Sequence, residues 1–190
     1  MTAALILGSA RRTGWTRKLA QALMELAPTA ISLRAITIAD LPLYHEELEE
    51  PSPPPEWARF RSELRDVDAV LFVTPEYNRS VPAALKNAVD IGSSPDGASV
   101  WAGKPAAIVS HSPGRMGGFG ANHHLRQSLV FLDMPVLQQP EVYLVEVDKL
   151  FDSDGRLTDR DVRELLSNLL AAFRDFSLTL RAAAPKGSPR

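Results

Sequence analysis

The chain has 190 residues, of which 45% are hydrophobic, and this size and composition fit one globular domain. Its 21 basic and 23 acidic residues give a formal net charge of −2, which gives no support for nucleic-acid binding through a clustered basic face. The 0 cysteines exclude thiol catalysis, disulfides and cysteine-based metal sites, and no metal site of another kind is predicted. No stretch approaches the roughly 18 apolar residues of a membrane span, so we expect a cytoplasmic protein without one.

Short apolar runs alternate with longer amphipathic segments along the chain. The predicted strands are 3–7, 30–38, 69–73, 105–110 and one within 136–147, and the predicted helices are 15–26, 57–64, 82–91, 120–132 and 159–180. Strand and helix alternate five times, which predicts a five-stranded parallel sheet with helices on both faces, an α/β sandwich. The flavodoxin-like strand order 2-1-3-4-5 fits this pattern and places a ligand crevice where the loops after strands 1, 3 and 4 converge.

The remaining segments are predicted to be irregular. Residues 39–55 include four prolines within 51–55 and are expected to be extended, with the acidic residues 46–50 in a solvated loop that could also border a pocket or a partner subunit. We assign residues 1–181 to a single domain and residues 182–190, which mix Ala, Pro, Gly, Ser and basic residues, to a disordered tail.

The loop after the first strand suits a phosphate group. It leaves a buried strand at Gly8 and enters a helix near Trp15, and a helix N-terminus offers unpaired N–H groups and a positive dipole end. Hydroxyl groups and Arg11 or Arg12 can bind phosphate oxygens. The loop matches neither the Walker pattern nor the dinucleotide fingerprint, and a capped helix start with solvated arginines is the plain alternative.

The loop after the third strand carries a longer motif. Residues 75–90 read PEYNRSVPAALKNAVD. This stretch resembles the hallmark P-E-Y-N-x-S-x-P-x-x-L-K-N-A-[IV]-D of the NAD(P)H-dependent FMN reductase family, which includes quinone and chromate reductases. The family's G-S-x-R start is similar to Gly8, Ser9 and Arg11, and its G-K-P-x-A-I-V-S segment with a glycine-rich loop is similar to residues 103–118. The resemblance covers residues 3–132.

The resemblance implies an FMN site without a catalytic side chain, because the flavin N5 carries the chemistry. The FMN phosphate would be held by the first loop, the isoalloxazine ring bordered by the second, and the pyrimidine side contacted by the third. The family often has Ser where this chain has Gly14, so the expected phosphate contacts fall to Thr13 and Thr16. The implied cofactor-binding residues are Ser9, Arg11, Thr13, Thr16, Pro75, Glu76, Tyr77, Asn78, Ser110, His111, Gly114 and Gly117.

Several of these residues have a plainer interpretation. Tyr77 and Trp15 could stack on the ring or pack between loops, and Glu76 could be a subunit contact. Lys86 and Asp90 are four residues apart and are expected to form an ordinary pair on a helix face. The adjacent His123 and His124 are expected to point in different directions.

The function that the resemblance implies is ping-pong hydride transfer from NADPH or NADH through FMN to a small acceptor. That acceptor could be a quinone, a free flavin, an azo compound or a metal oxyanion. A homodimer or homotetramer is implied as well. The alternatives are a flavodoxin-like electron carrier that acts with a protein partner, and a flavin-free domain of the same fold.

Overall fold

A computed structural model describes residues 1–183. Its five strands form one parallel sheet in the order β2-β1-β3-β4-β5, which confirms the predicted flavodoxin-like topology. The strands are β1 (Thr2–Leu7), β2 (Ser32–Ile36), β3 (Ala69–Pro75), β4 (Ala106–His111) and β5 (Val142–Leu144). The helices are α1 (Trp15–Leu26), α2 (Pro55–Arg65), α3 (Ala83–Ser93), α4 (Phe119–Phe131) and α5 (Arg160–Ala183).

The sheet separates two apolar cores. Along β3, Val70 and Phe72 face the core that α2, α3 and α4 cover, whereas Leu71 and Val73 face the core that α1 and α5 cover. Successive side chains of a strand point to opposite faces, so a strand covered on both sides must be apolar at every position. This requirement explains the uninterrupted apolar run over residues 69–73 of β3.

The segment between β2 and α2 differs from its prediction. It contains a 3₁₀ turn at Glu46–Glu49 rather than only extended chain. The expectation that the acidic residues are all solvated is wrong for Glu49, which lies 2.6 Å from the Arg61 guanidinium. The hydrogen bonds from Arg61 lower the pKa of Glu49, and Arg61 also donates to the Ile91 carbonyl at 2.8 Å. This ion pair therefore ties the segment to α2 and α3.

One local prediction is confirmed, and one boundary differs. Lys86 and Asp90 form the expected pair at 2.6 Å. α5 continues through Ala182 and Ala183, two residues that were assigned to the tail, and residues 184–190 lie outside the described part. Among residues 1–183, no helix combines the length and the apolar character that crossing a membrane requires.

Candidate functional site

Three loops meet at the carboxyl edge of the sheet. We call residues 8–14 the first loop, residues 76–82 the second loop and residues 112–118 the third loop; they follow β1, β3 and β4. The neighbouring strands end in register, with Pro75 opposite His111. Most of the residues predicted to bind a cofactor lie in these loops or at the strand ends that precede them.

The first loop presents backbone donors and exposed cations. A Cβ at Gly8 would lie 2.7 Å from the Thr74 Oγ1 atom, so only glycine fits this turn away from the sheet. Gly14 is the N-cap of α1 and provides no side-chain cap. The N–H groups of the first helical turn therefore remain without a side-chain acceptor, which favours binding of an anion.

The cations at this end of α1 form no ion pair within residues 1–183. They are Arg11, Arg12, Arg17 and Lys18. A cavity of about 300 Å³ is lined by three of them together with Thr13 and Asp154. The first loop and the first turns of α1 thus form a strongly positive surface in a protein of net negative charge.

Trp15 packs within the protein. Its ring stacks on Phe151 with centroids 5.9 Å apart, and the Lys18 ammonium lies 4.5 Å from the ring centroid. Of the two interpretations of Trp15, packing between loops is the one that the structure favours.

The second loop is a tight turn that two backbone hydrogen bonds close. Tyr77 and Ser80 exchange two backbone hydrogen bonds of 2.9 and 3.0 Å. Between them, Asn78 and Arg79 have φ angles of 50° and 66°. Two consecutive left-handed residues define a type I′ turn, and each costs on the order of 1 kcal/mol when it is not glycine. Strain of this kind persists only where the surrounding structure holds it.

Two side-chain contacts to α4 hold this turn. The Glu76 Oε2 atom accepts a hydrogen bond of 3.1 Å from the N–H of Ala121 in the first turn of α4, where the helix dipole favours a negative charge. The Ser80 Oγ and His124 Nδ1 atoms lie 2.6 Å apart. A Cβ at Gly120 would come within 2.8 Å of the Arg79 carbonyl oxygen. The Glu76 side chain is therefore an internal anchor, and its backbone remains the part available to a ligand.

The third loop depends on glycine in the same way. Gly117 and Gly118 have φ angles of 56° and 80°. A Cβ at Gly117 would lie 2.6 Å from the Tyr143 carbonyl carbon, and one at Gly118 would lie 2.8 Å from the Ser110 Cβ atom. Ser110 is fully buried and its hydroxyl donates to the Gly117 carbonyl at 3.0 Å. Ser110 thus shapes the loop with its side chain, and Gly114 lies at the exposed tip.

Two of the predicted cofactor-binding residues contact each other. The Thr16 Oγ1 and His111 Nε2 atoms lie 2.8 Å apart, and the two residues are only 2% and 3% exposed. Burial lowers the pKa of His111 to about 4, so the imidazole is neutral at pH 7.

The predicted residues therefore divide into two groups. One group is accessible at the sheet edge, and the other is buried beneath it. Exposed or half-buried are Ser9, Arg11, Thr13, Pro75, Glu76, Tyr77, Asn78 and Gly114, whereas Thr16, Ser110, His111 and Gly117 are buried.

The sequence interpretation missed an aromatic cluster beside the third loop. Phe119 and His123 have ring centroids 4.2 Å apart, and the His123 Nε2 atom lies 3.0 Å from the Tyr143 hydroxyl. Burial raises the pKa of Tyr143 to about 12. The spacing of four between Phe119 and His123 was a signal for their contact, but nothing local linked them to a strand twenty residues away. His124 points instead to Ser80, as expected for adjacent helical residues.

Comparison with known proteins decides the family. The sequence model of the NADPH-dependent FMN reductase family matches residues 1–149. The chain belongs to this family. A quinone reductase from Pseudomonas putida KT2440 is 59% identical over 83% of this chain and 84% of its own length. An NAD(P)H-dependent FMN reductase from Pseudomonas aeruginosa is 42% identical over 93% of this chain and 95% of its own.

A solved structure agrees. The flavoenzyme NAD(P)H:(acceptor) oxidoreductase FerB from Paracoccus denitrificans superimposes with a TM-score of 0.87 at 34% identity, covering 94% of this chain and 97% of that one. These findings confirm the predicted family, an oxidoreductase activity that depends on NAD(P)H, and FMN as the flavin.

Proposed function

We propose that this FMN reductase family member is a quinone reductase that binds FMN across the three loops and works by a ping-pong reaction. The observation that carries the choice of acceptor is the 59% identity to a quinone reductase over most of both chains. When bound, FMN supplies the redox chemistry, taking hydride from the nicotinamide cofactor and passing electrons to the acceptor. The chain's own residues bind, orient and shield.

The first loop is proposed to bind the phosphate of FMN. The start of α1 has no side-chain cap, so its first N–H groups can donate to phosphate oxygens. Arg11 is exposed and without an ion-pair partner in the described residues, and a guanidinium suits a phosphate monoester. Ser9 and Thr13 supply hydroxyl groups within the same turn.

The second and third loops are proposed to bind the flavin ring. The turn at Asn78 and Arg79 holds the backbone from Pro75 to Asn78 in one conformation before any ligand arrives. Preorganised backbone N–H groups stabilise the charge of a reduced flavin without reorganisation. Gly114 and Gly117 allow the third loop to approach the pyrimidine side closely. No side chain is assigned as an acid or a base.

The acceptor is proposed to bind over an apolar rim. Tyr77 is 47% exposed on the second loop, and Met116 and Phe119 are 49% and 43% exposed at the third. Large exposed apolar side chains on two loops that meet at the same sheet edge favour a binding surface over scattered surface residues. A planar, weakly polar quinone matches such a surface, and a metal oxyanion does not.

A second copy of the chain is proposed as the partner. The α3–α4 face carries a groove of about 380 Å³ that is lined by Val89, Phe131 and Leu132, among others. Phe131 is 90% exposed and Val130 is 73% exposed. Covering these side chains with a symmetry-related copy would give a homodimer, or a homotetramer through a further face. We also propose a cytoplasmic location, where NAD(P)H is available.

One experiment tests the activity. The purified chain, supplied with FMN, is mixed with NADPH or NADH and a benzoquinone, and the absorbance of the nicotinamide is followed. Oxidation without any added protein supports the proposal. An electron carrier would need a separate reductase, and a chain that carries no yellow flavin after incubation with FMN and removal of the unbound FMN would contradict flavin binding. Light scattering of the wild-type chain and Phe131→Asp tests the oligomer, with a dimer or tetramer expected for the first and a smaller species for the second.

A further inference from the structure

A buried hydrogen bond joins the phosphate end of the candidate site to its ring end. Thr16 lies in the first turn of α1, directly after the first loop, and His111 is the last residue of β4, directly before the third. Side chains alternate along a strand, so His111 points to the same face as Val109, which packs in the core beneath α1. The bond spans 95 residues of sequence and joins α1, the helix that follows β1, to β4, which is separated from β1 in the sheet by β3.

The His111 ring has no other hydrogen-bond partner among the described residues. Its Nδ1 atom is buried and unpartnered. A buried polar atom without a partner destabilises the folded state, so a histidine at this position is a poor choice for packing alone. The ring is neutral and excluded from water, and its one hydrogen bond to Thr16 is therefore not in competition with solvent.

The first turn of α1 has few other polar anchors. Gly14 provides no cap, and residues 10–13 are exposed. Among residues 1–183, the only side-chain hydrogen bond of the first loop is the contact of 3.4 Å from the Arg11 N–H to the Ser9 hydroxyl, and it stays inside the loop. Thr16 therefore provides the polar contact that fixes the helix start against the sheet.

We propose that His111 is a positioning residue that acts through Thr16 and holds the start of α1 in register with the end of β4 for binding of the FMN phosphate. This inference rests on the proposed function. It replaces the direct cofactor contacts predicted for both residues, because neither side chain has more than 3% of its surface accessible. His111 does not touch the phosphate; it sets where the first-turn N–H groups lie relative to the third loop.

A comparison of two flavins tests this role, because riboflavin has the ring of FMN but no phosphate. The dissociation constants of FMN and riboflavin are measured by quenching of flavin fluorescence for the wild type and for Thr16→Val. We expect the FMN affinity of the variant to be about tenfold lower, because the net contribution of one hydrogen bond corresponds to about that ratio of dissociation constants. Its riboflavin affinity should change by less than about twofold, within the precision of such affinity comparisons.

Further variants separate positioning from general damage. Thr16→Ser keeps the hydroxyl and should retain FMN binding, and His111→Leu should match Thr16→Val. Because the two side chains act as one unit, the double variant should bind FMN no more weakly than either single variant. Ser177→Ala is the matched control, since it removes another buried hydroxyl bond, 2.7 Å to the Phe173 carbonyl, away from the loops. It should leave both affinities unchanged.

The outcomes are distinguishable. Equal losses of FMN and riboflavin affinity, or additive losses in the double variant, would overturn the positioning role while leaving the proposed function intact. A wild type that binds neither flavin would defeat the proposed function itself. Should Thr16→Val fail to fold by circular dichroism, Thr16→Ala removes the hydroxyl without a misplaced methyl group and is read by the same criteria.

Discussion

The first and second loops lie at the same edge of the sheet but use their polar groups in opposite ways. The first loop is open and positively charged, with an uncapped helix start and cations that have no ion-pair partner in residues 1–183. The second loop is closed on itself by two backbone hydrogen bonds and fastened to α4 by Glu76 and Ser80. One loop leaves its bonding groups free, and the other uses its side chains to fix its backbone.

This difference matches what the two ends of FMN require. A phosphate is bound by charge and by free N–H groups, which an uncapped helix start supplies at little cost in strain. A flavin ring is bound by backbone groups that must already be in place, and the second loop accepts two left-handed residues to achieve this. Glycine replacements should therefore change the free energy of unfolding in opposite directions at the two loops. A replacement beside the closed second loop should lower it, and one at the open first loop should raise it.

The largest effect is expected where the second loop meets α4. Gly120→Ala would place a Cβ 2.8 Å from the Arg79 carbonyl oxygen, so the backbone of the turn must move. We expect a loss of about 2–3 kcal/mol in the free energy of unfolding, typical of overpacking, although alanine is the better helix former. Urea denaturation measures this loss. Gly114→Ala is the control, because its Cβ would meet nothing closer than 3.5 Å, and a similar loss there would contradict the explanation.

A somewhat smaller loss of stability is expected when acid protonates His111, the buried histidine that contacts Thr16 at the start of α1. His111 has its pKa lowered to about 4 by burial, whereas an unfolded histidine titrates near about 6.5. The unfolded chain then binds more protons between these values, so stability is full above about pH 6.5 and falls as pH drops to about 4. The loss from this group should be on the order of 2 kcal/mol.

Urea denaturation at pH 7 and pH 4.5 measures this dependence. The fall in stability between the two should be smaller in His111→Leu than in the wild type. His45→Gln changes an exposed histidine and should keep the wild-type fall. An identical fall in all three proteins would mean that His111 does not stay neutral on folding.

Two neighbouring arginines of the first loop test whether its positive charge binds the FMN phosphate. Arg11→Ala should weaken FMN binding about tenfold, the scale of a hydrogen bond to a charged group, and the loss should shrink as salt is raised. Arg12→Ala is the matched control and should lose less, because Arg12 lines the neighbouring cavity beside Asp154. Fluorescence titration with FMN at two salt concentrations decides this. Equal losses would mean that the positive charge of the whole loop, rather than Arg11 in particular, binds the phosphate.

The fold could be predicted from the sequence because its signals are local. An apolar run such as that of β3 and the alternation with amphipathic helices require no knowledge of distant residues. The ends were less certain: β2 covers only Ser32–Ile36 and α5 extends to Ala183. Strand ends depend on which neighbours supply hydrogen bonds, and only the assembled sheet determines this.

The candidate site could be predicted in position but not in detail. The motif at residues 75–90 located the second loop, yet nothing local indicated that the Glu76 carboxylate binds the start of α4. Thr16 was predicted to bind the cofactor because of its hydroxyl group and His111 because it ends β4, but nothing in the sequence indicated their 2.8 Å contact with each other. Likewise, Glu49 belongs to an acidic run that is mostly exposed, and only Arg61 of α2 distinguishes it. Polar side chains acquire their roles from long-range partners.

The smallest expected effect is a gain. Gly14→Ser places a hydroxyl at the N-cap of α1, where glycine has a φ of −82° that any residue adopts. Its Cβ would lie 3.2 Å from the Arg11 Cβ and 3.5 Å from the Arg11 carbonyl oxygen, so the exposed Arg11 must shift by only a few tenths of an ångström. Serine at this position should stabilise the chain by a few tenths of a kcal/mol, roughly the difference between Ser and Gly caps. The same hydroxyl can donate to a phosphate, so FMN affinity should rise rather than fall. Denaturation and FMN titration of this variant beside Gly120→Ala then compare two glycine replacements with opposite expected effects on stability. A loss of FMN affinity in Gly14→Ser would mean that the first loop is not open to its ligand.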